Sequence, residues 1–164
     1  MCIRDRRMGE LLALTPADFD FQACTIRINK SYQRLEGKDI ITDPKTVKSN
    51  RMITMPEFLS EEFESYIGML YGLNENDRIF QISKSYLHHE MDRGSKAASV
   101  KRIRIHDLRH SHVSLLINQG YQAAAIADRV GHETVEITDR YTHIYPSKQN
   151  EMANTLDELW KERK

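Results

Sequence analysis

The feature that most constrains the fold is a change of hydrophobic period at Pro56. Before it, residues 24–32 alternate between polar and apolar side chains, which predicts a strand with one solvent-facing side. Residues 39–42 and 51–55 are two further short strand patterns bounded by polar turn residues. Because short connections join antiparallel neighbours, the sequence predicts a small antiparallel meander of three strands.

After Pro56, apolar residues recur at spacings of three and four, which is typical of helices that bury one face. Residues 8–14 form the end of an earlier helix, and further helices are predicted over about residues 58–72, 83–96, 105–118, 122–130, 134–141 and 147–163. The predicted core positions in the later helices are Leu115, Leu116, Ile126 and Val130. We therefore predict an α+β fold that is mainly α-helical, with a small three-stranded antiparallel sheet at one edge.

Charge is unevenly distributed along a chain whose formal net charge is zero. Residues 57–77 carry only acidic charges, whereas residues 93–112 carry almost only basic ones. Such a basic segment gives a neutral protein a face for a polyanion, although two solvated surfaces are the simpler alternative. The two cysteines form no disulfide framework, and no apolar run approaches the ~20 residues of a membrane span, so a cytoplasmic, membrane-free setting is expected.

One cluster of polar residues carries chemistry. His106, Arg109 and His110 lie within a single predicted helix, and His132 and Tyr141 follow it. Residues three or four apart share a helix face, so His106 and Arg109 project together. The guanidinium fork of arginine matches phosphate oxygens, and a tyrosine hydroxyl can attack a phosphodiester when cations stabilise the developing charge. This pattern predicts phosphodiester chemistry with Tyr141 as the attacking group.

Two further cations come from the first third of the chain. Arg7 directly precedes the first predicted helix, and Lys45 lies in the polar loop before the third strand. Arg7 taken alone is more typical of a surface arginine than of a catalytic one. Lys48, in the same loop, is a rival for Lys45.

Together these residues resemble the catalytic domain of tyrosine recombinases of the phage-integrase family, and in particular integrases of conjugative transposons. The matching motifs are Arg7-x-x-Glu10, Lys45-Thr46, His106-x-x-Arg109-His110, Val130-Gly131-His132 and Thr138-x-Arg140-Tyr141. Each motif alone is weak, whereas their order and spacing together are specific. The resemblance implies a catalytic domain over residues 7–164, a non-family or truncated segment over residues 1–6, and no core-binding or arm-binding domain before it.

The resemblance also implies how the phosphate is held. Arg7 and Arg109 would clamp the scissile phosphate, and His132 would donate a further hydrogen bond to it. Both arginines would face the non-bridging oxygens, where negative charge develops.

The same resemblance implies how the strand is cut. Tyr141 would form a 3′-phosphotyrosyl link to DNA, His106 would help to activate it, and Lys45 would protonate the departing 5′-oxygen. No cofactor is implied. The implied partner is double-stranded DNA, on which four protomers act as a homotetramer. Without DNA, a monomer is possible. A C-terminal helix would dock on a neighbouring protomer through Leu156, Leu159 and Trp160.

Three alternatives remain open at this point. Residues 123–143 resemble a helix-turn-helix, so a non-catalytic DNA-binding fragment is one of them. Two other tyrosines, Tyr121 and Tyr145, compete for the role of nucleophile. The third alternative is a metal site with His106, His110, His112 and His132 as ligands. This site would lack carboxylate or thiol ligands at suitable spacing.

Overall fold

A computed structural model describes residues 5–44, 46–139 and 141, together with the helical positions 153, 154, 156, 158 and 161. In chain order its elements are α1 (Met8–Leu12), β1 (Phe19–Asp20), β2 (Thr25–Ile28), β3 (Ser31–Leu35), β4 (Lys38–Thr42), β5 (Arg51–Thr54), α2 (Glu57–Gly68), α3 (Lys84–Ala97), α4 (Ile105–Asn118), α5 (Ala123–Val130) and α6 (Val135–Asp139). Short 3₁₀ turns occupy Pro16–Asp18 and Val47–Ser49. The predicted α+β, mainly helical class is confirmed.

The strands form two units rather than one meander. β1, β2 and β5 make a three-stranded antiparallel sheet in that order, and β3 and β4 form a separate hairpin. The hairpin closes at Glu36 and Gly37, whose φ angles of 49° and 79° suit a two-residue turn. A small three-stranded antiparallel sheet is thus confirmed, but its predicted membership is wrong. The tight turn pairs β4 with β3 in the hairpin, so β5 joins β2, and β1 supplies the third strand.

The main core lies between the three-stranded sheet, α1 and α2. Ile26 and Ile28 point inward from β2, and Ile53 of β5 lies opposite Ile26. Leu11 of α1 and Leu59 of α2 belong to the same buried cluster. Burying a side chain of this size contributes about 1.5–3 kcal/mol, so this packing holds α1 against the sheet. The inward isoleucines are the ones that the alternating pattern predicts.

A glycine allows α1 to approach the hairpin closely. A Cβ atom on Gly9 would lie 2.5 Å from the Ser31 hydroxyl oxygen and 3.0 Å from the Tyr32 carbonyl oxygen of β3. A side chain at this position would therefore displace the Ser31 hydroxyl and crowd the backbone of β3. This close approach sets the start of α1 beside the hairpin, where Arg7 is the N-cap residue and Glu10 lies in the first turn.

A second, smaller core joins α4 to α5. Val113, Ile126 and Val130 are buried there, and Leu116 packs against them. α4 begins and ends at the predicted residues, and α5 begins one residue later than predicted. Leu115, which was predicted to be core, is 37% exposed because it lies on the outer face of α4.

The residues predicted to dock on a neighbouring protomer lie mostly outside the described part of the chain. Leu156 is helical and exposed, whereas Leu159, Trp160 and Tyr145 lie outside the described part of the chain. Within the described part, no helix combines the length and apolar character needed to cross a bilayer.

Candidate active site

Arg7 reaches the site from the start of α1. Its guanidinium donates hydrogen bonds to the Glu10 carboxylate at 2.8 Å, the Ser49 hydroxyl at 2.9 Å and the Gly131 carbonyl at 3.3 Å. Its backbone N–H donates to Glu10 as well, so the carboxylate caps the helix and orients the arginine together. The side chain remains 38% exposed, which leaves part of the guanidinium accessible to a ligand.

Arg109 reaches the same place from α4 but is almost fully buried, at 3% exposure. Its guanidinium donates to the Asp5 carbonyl at 2.7 Å and to the Val130 carbonyl. Burial and the nearby charge of Arg7 lower the pKa of Arg109 to about 10. The group is therefore still a cation at neutral pH.

The two arginines meet at the C-terminal end of α5. Arg109 binds the carbonyl of Val130 and Arg7 binds the carbonyl of Gly131, the next residue along the chain. Carbonyls at the end of a helix carry partial negative charge, which favours cations there. The two guanidinium groups, from distant parts of the sequence, are thus anchored side by side, directly before His132.

Gly131 is required at this turn for two independent reasons. Its φ of +69° lies in the left-handed region, as expected for a helix C-cap. A Cβ there would also lie 2.9 Å from both the Lys48 carbonyl oxygen and a guanidinium nitrogen of Arg51. The sequence predicts the first reason, whereas the second depends on the tertiary packing of the Val47–Ser49 turn against α5.

His132 follows this turn. Its Nδ1 atom lies 2.9 Å from the hydroxyl of Thr138, a fully buried residue of α6. Burial, followed by the charges of Arg109 and Arg7, lowers the pKa of His132 to about 4. The ring is therefore neutral at pH 7. When Thr138 donates to Nδ1, Nε2 carries the ring hydrogen and can donate it to an anion.

Tyr141 completes the cluster from the residues after α6. Its hydroxyl is hydrogen-bonded to Nδ1 of His110, and the two rings stack with centroids 5.5 Å apart. The His106 ring meets that of His110 edge-on at 4.6 Å. Partial desolvation, followed by the charges of His110, Arg109 and Arg7, lowers the pKa of His106. The phenol and the histidines therefore gather with both arginines.

A buried ion pair behind Arg7 was missed by the sequence reasoning. Arg51, the first residue of β5, donates to Glu10 at 3.0 Å and to the carbonyls of Ser49 and Arg129. Burial raises the pKa of Glu10, but the hydrogen bonds and charge of Arg51 and the bonds from Arg7 outweigh it, so the pKa lies below its usual value. Of the two residues in this ion pair, only Glu10 could be singled out from the sequence, because it lies three residues after Arg7.

Lys45, the predicted general acid, lies outside the described residues. The loop after it is tied to the site, because the Ser49 hydroxyl lies 2.9 Å from that of Thr46 and accepts a bond from Arg7. Its rival Lys48 is exposed and donates to the Glu133 carbonyl at 2.8 Å. The assignment of Lys45 therefore remains a prediction.

The histidines proposed as metal ligands do not all gather. His112 is buried and lines an apolar cavity of about 440 Å³ with Leu59, Leu116 and Ile126. The other three histidines lie with the arginines. Within the described residues, no three His, Cys, Asp or Glu side chains are grouped as metal ligands. The helix-turn-helix alternative remains a prediction. In the described part of the chain α6 has five residues, and its Thr138 faces inward to His132.

A sequence profile of the phage integrase family matches residues 5–148. The chain belongs to the phage integrase family. The ICEBs1 integrase of Bacillus subtilis (strain 168) is 36% identical over 93% of this chain and 45% of that protein. The integrase of Mycobacterium phage L5 is 24% identical over 94% of the chain and 44% of that protein. This family member thus spans less than half the length of these two relatives.

Solved structures of an integrase and of a recombinase share the fold. The Tn1549 transposon integrase, in complex with circular intermediate DNA, superposes with a TM-score of 0.74 at 21% identity, over 95% of this chain and 56% of that one. The XerA recombinase superposes with a TM-score of 0.67 at 26% identity, over 93% of this chain and 53% of that one. The resemblance to the phage-integrase family predicted from the sequence is confirmed.

Proposed function

We propose that this chain is the catalytic domain of a site-specific DNA recombinase that integrates and excises a mobile element. The observation that carries the proposal is the pair of arginines anchored on consecutive carbonyls directly before His132, in one cluster with the phenol of Tyr141. Family membership supports the same conclusion. The relatives are about twice as long, so the activity is proposed for the protein to which this domain belongs.

The arginines would bind the scissile phosphate through its two non-bridging oxygens. Arg109 is held by neutral carbonyls, so its charge is available to a ligand, and Arg7 presents a partly exposed guanidinium beside it. His132 would add a hydrogen bond from Nε2. Donors fixed before the reaction stabilise the charge that develops in the transition state without reorganising.

The Tyr141 oxygen would then attack phosphorus in line with the departing 5′-oxygen. A phosphorus–oxygen bond to Tyr141 forms, the bond to the 5′-oxygen breaks, and Lys45 would give that oxygen its proton. His106 would assist the activation of the nucleophile. The 3′-phosphotyrosyl ester keeps the energy of the broken linkage, so the 5′-hydroxyl of a partner strand can reverse the step without a cofactor.

The proposed partner is double-stranded DNA in the cytoplasm, with four protomers acting on two sites and a monomer in its absence. Arg93, Arg102 and Arg104 of the basic segment are exposed and form surface pairs with nearby carboxylates. Such pairs are weak, about 0–1 kcal/mol, so DNA phosphates can replace the carboxylates. Binding should therefore weaken steeply with salt. The docking helix through Leu156, Leu159 and Trp160 stays part of this proposal.

A nicked duplex that carries the junction sequence of the encoding element tests the proposal. Cleavage near the nick releases a short fragment and traps the covalent intermediate, which is resolved on a denaturing gel. We expect an adduct with the native chain, none with Tyr141→Phe, and a normal amount with the matched control Tyr121→Phe, since Tyr121 is exposed at 62% away from the cluster.

An adduct that persists in Tyr141→Phe would show that another group is the nucleophile. Binding of the duplex without any adduct from the native chain would favour the alternative, a non-catalytic DNA-binding module built on α5 and α6.

A further inference from the structure

The hydroxyl of Tyr141 has a specific neighbour that none of the family motifs assigns to it. His110 Nδ1 forms the hydrogen bond with the phenol, and its ring stacks on the phenol ring at an interplanar angle of 29°. His106 contacts the ring of His110, so it stands one ring behind this contact. A base must lie within hydrogen-bond reach of the proton that it removes.

We propose that His110 accepts the phenolic proton of Tyr141 and that His106 positions His110. The inference rests on the proposed function and assigns a further residue to it. A lone pair of the Tyr141 oxygen forms the bond to phosphorus, the electrons of its O–H bond stay on that oxygen, and its proton passes to Nδ1 of His110. The 5′-oxygen leaves with the electrons of the broken bond and takes a proton from the general acid. In the reverse step, His110 returns its proton to the tyrosine.

The surroundings of His110 suit this exchange. The titratable and charged groups of this cluster are His106, Asp107 and Arg109 on the same helix as His110, His132 from the α5 turn, Arg7 from the start of α1, and Tyr141 itself. His132 engages Thr138 through Nδ1, and Asp107 binds Arg104 on the outer side of α4. Asp107 thus has a partner of its own, whereas His110 is hydrogen-bonded to the phenol.

A pair of substrates separates proton removal from proton donation. One nicked duplex has the natural 5′-oxygen at the scissile bond, and the other has a 5′-bridging sulfur, which leaves without needing a proton. His110→Phe keeps an aromatic ring but cannot accept a proton, and Ser111→Ala on the exposed side of the same helix is the matched control.

We expect His110→Phe to slow single-turnover adduct formation about 10²-fold on both substrates, as for other lost bases. Lys45→Ala should be slow on the oxygen substrate and close to native on the sulfur one. The deficit of His110→Phe should shrink towards pH 10, where a phenol ionises without help. Ser111→Ala should stay within about twofold of the native rate, because its hydroxyl bonds only its own helix backbone in the described contacts.

If the 5′-sulfur substrate restores the rate of His110→Phe, His110 donates a proton instead, and its role as a base is overturned. A rate loss that is the same at every pH would also overturn it, because that loss would be merely structural. A faster rate in His110→Phe would also overturn it, because the contact would then restrain the tyrosine.

A measurement without catalysis tests the contact itself. In the full chain, we expect the ¹⁵N resonance of His110 Nδ1 to move in Tyr141→Phe, while that of the exposed His88 stays. An unmoved His110 resonance contradicts the inference. If the resonance moves in Tyr141→Phe but the native chain forms no adduct on either substrate, the proposed function is contradicted instead. The two failures are therefore distinguishable.

Discussion

The region around Arg7 and the region around Arg109 hold the same functional group by different physical means. Arg7 stands in a network of opposite charges, where Glu10 binds both it and the buried Arg51. Arg109 is held by the carbonyls of Asp5 and Val130 and is far more buried. The first region compensates its cations with a carboxylate, whereas the second compensates its cation mainly with backbone dipoles.

This difference assigns different tasks to the two regions. A carboxylate neutralises part of the charge near Arg7, so that region contributes order and stability. Carbonyls orient Arg109 without cancelling its charge, so the second region keeps more of the positive potential that a phosphate requires. Variants should therefore separate stability from catalysis along this line.

Glu10→Gln should have the largest effect of these variants, a loss of folding stability. Removing one partner of a buried ion pair leaves a buried charge without compensation, which typically costs about 3–5 kcal/mol of unfolding free energy. Chemical denaturation measures the loss. Glu90→Gln, which removes an exposed pair with Arg93, is the matched control and should change stability by less than about 1 kcal/mol. Equal losses would contradict the difference between buried and exposed pairs.

The same carboxylate sets an acid limit. The pKa of Glu10 is lowered in the folded chain, so its stabilising effect is complete above the ordinary glutamate pKa and is lost as pH falls through the lowered value. Melting temperatures between pH 7 and pH 3 should fall more steeply for the native chain than for Glu10→Gln.

Arg109→Ala should lower cleavage by about 10²–10³-fold, as for other lost donors to developing negative charge. Arg109→Lys should recover only part of it, because a single ammonium cannot reproduce the fork that spans two carbonyls and a phosphate. Single-turnover adduct formation at saturating DNA measures the chemical step. A native rate in Arg109→Ala would place the catalytic charge in the Arg7 region and reverse the comparison.

Gly131→Ala should destabilise the chain by about 1–3 kcal/mol, because the left-handed backbone and the contact with the Lys48 carbonyl both oppose a Cβ. Gly120→Ala is the matched control, since its φ is +88° but its surroundings are open. Only backbone strain of about 1 kcal/mol is expected there. The difference in stability loss between the two variants, measured by thermal unfolding, gives the cost of the close contact with the Lys48 carbonyl. Equal losses would show that this contact adds no cost.

The last prediction concerns the pH dependence that His132 gives to stability. Its pKa is about 4 when folded against an ordinary value near 6.5, so between these values the unfolded chain binds the proton and the folded chain does not. Stability should therefore decline as pH falls from about 6.5 to 4 and level off below. His132→Gln should remove part of this decline in denaturation curves, whereas His88→Gln should not. An unchanged decline would mean that other groups cause it.

Local patterns predicted the helices that carry the site, because periodicity and caps are written in neighbouring residues. α4 and the glycine turn after α5 are examples. The role of Arg51 and the contact of His110 with Tyr141 were missed, because both depend on which distant surfaces meet. The sheet order failed for the same reason: an alternating pattern specifies a strand but not its partner. The roles of Arg7, Lys45, His106, Arg109, His132 and Tyr141 remain predictions that the variants above test.

The missing side chain at Gly9 has a mechanical consequence. Because the backbone of α1 lies directly against β3 at this point, a shift of the hairpin would be passed on to Arg7 at the start of α1. The loop that leaves the hairpin also returns to Arg7 through Ser49. A displacement of the hairpin would therefore reach the guanidinium of Arg7 along two connections, one through α1 and one through Ser49.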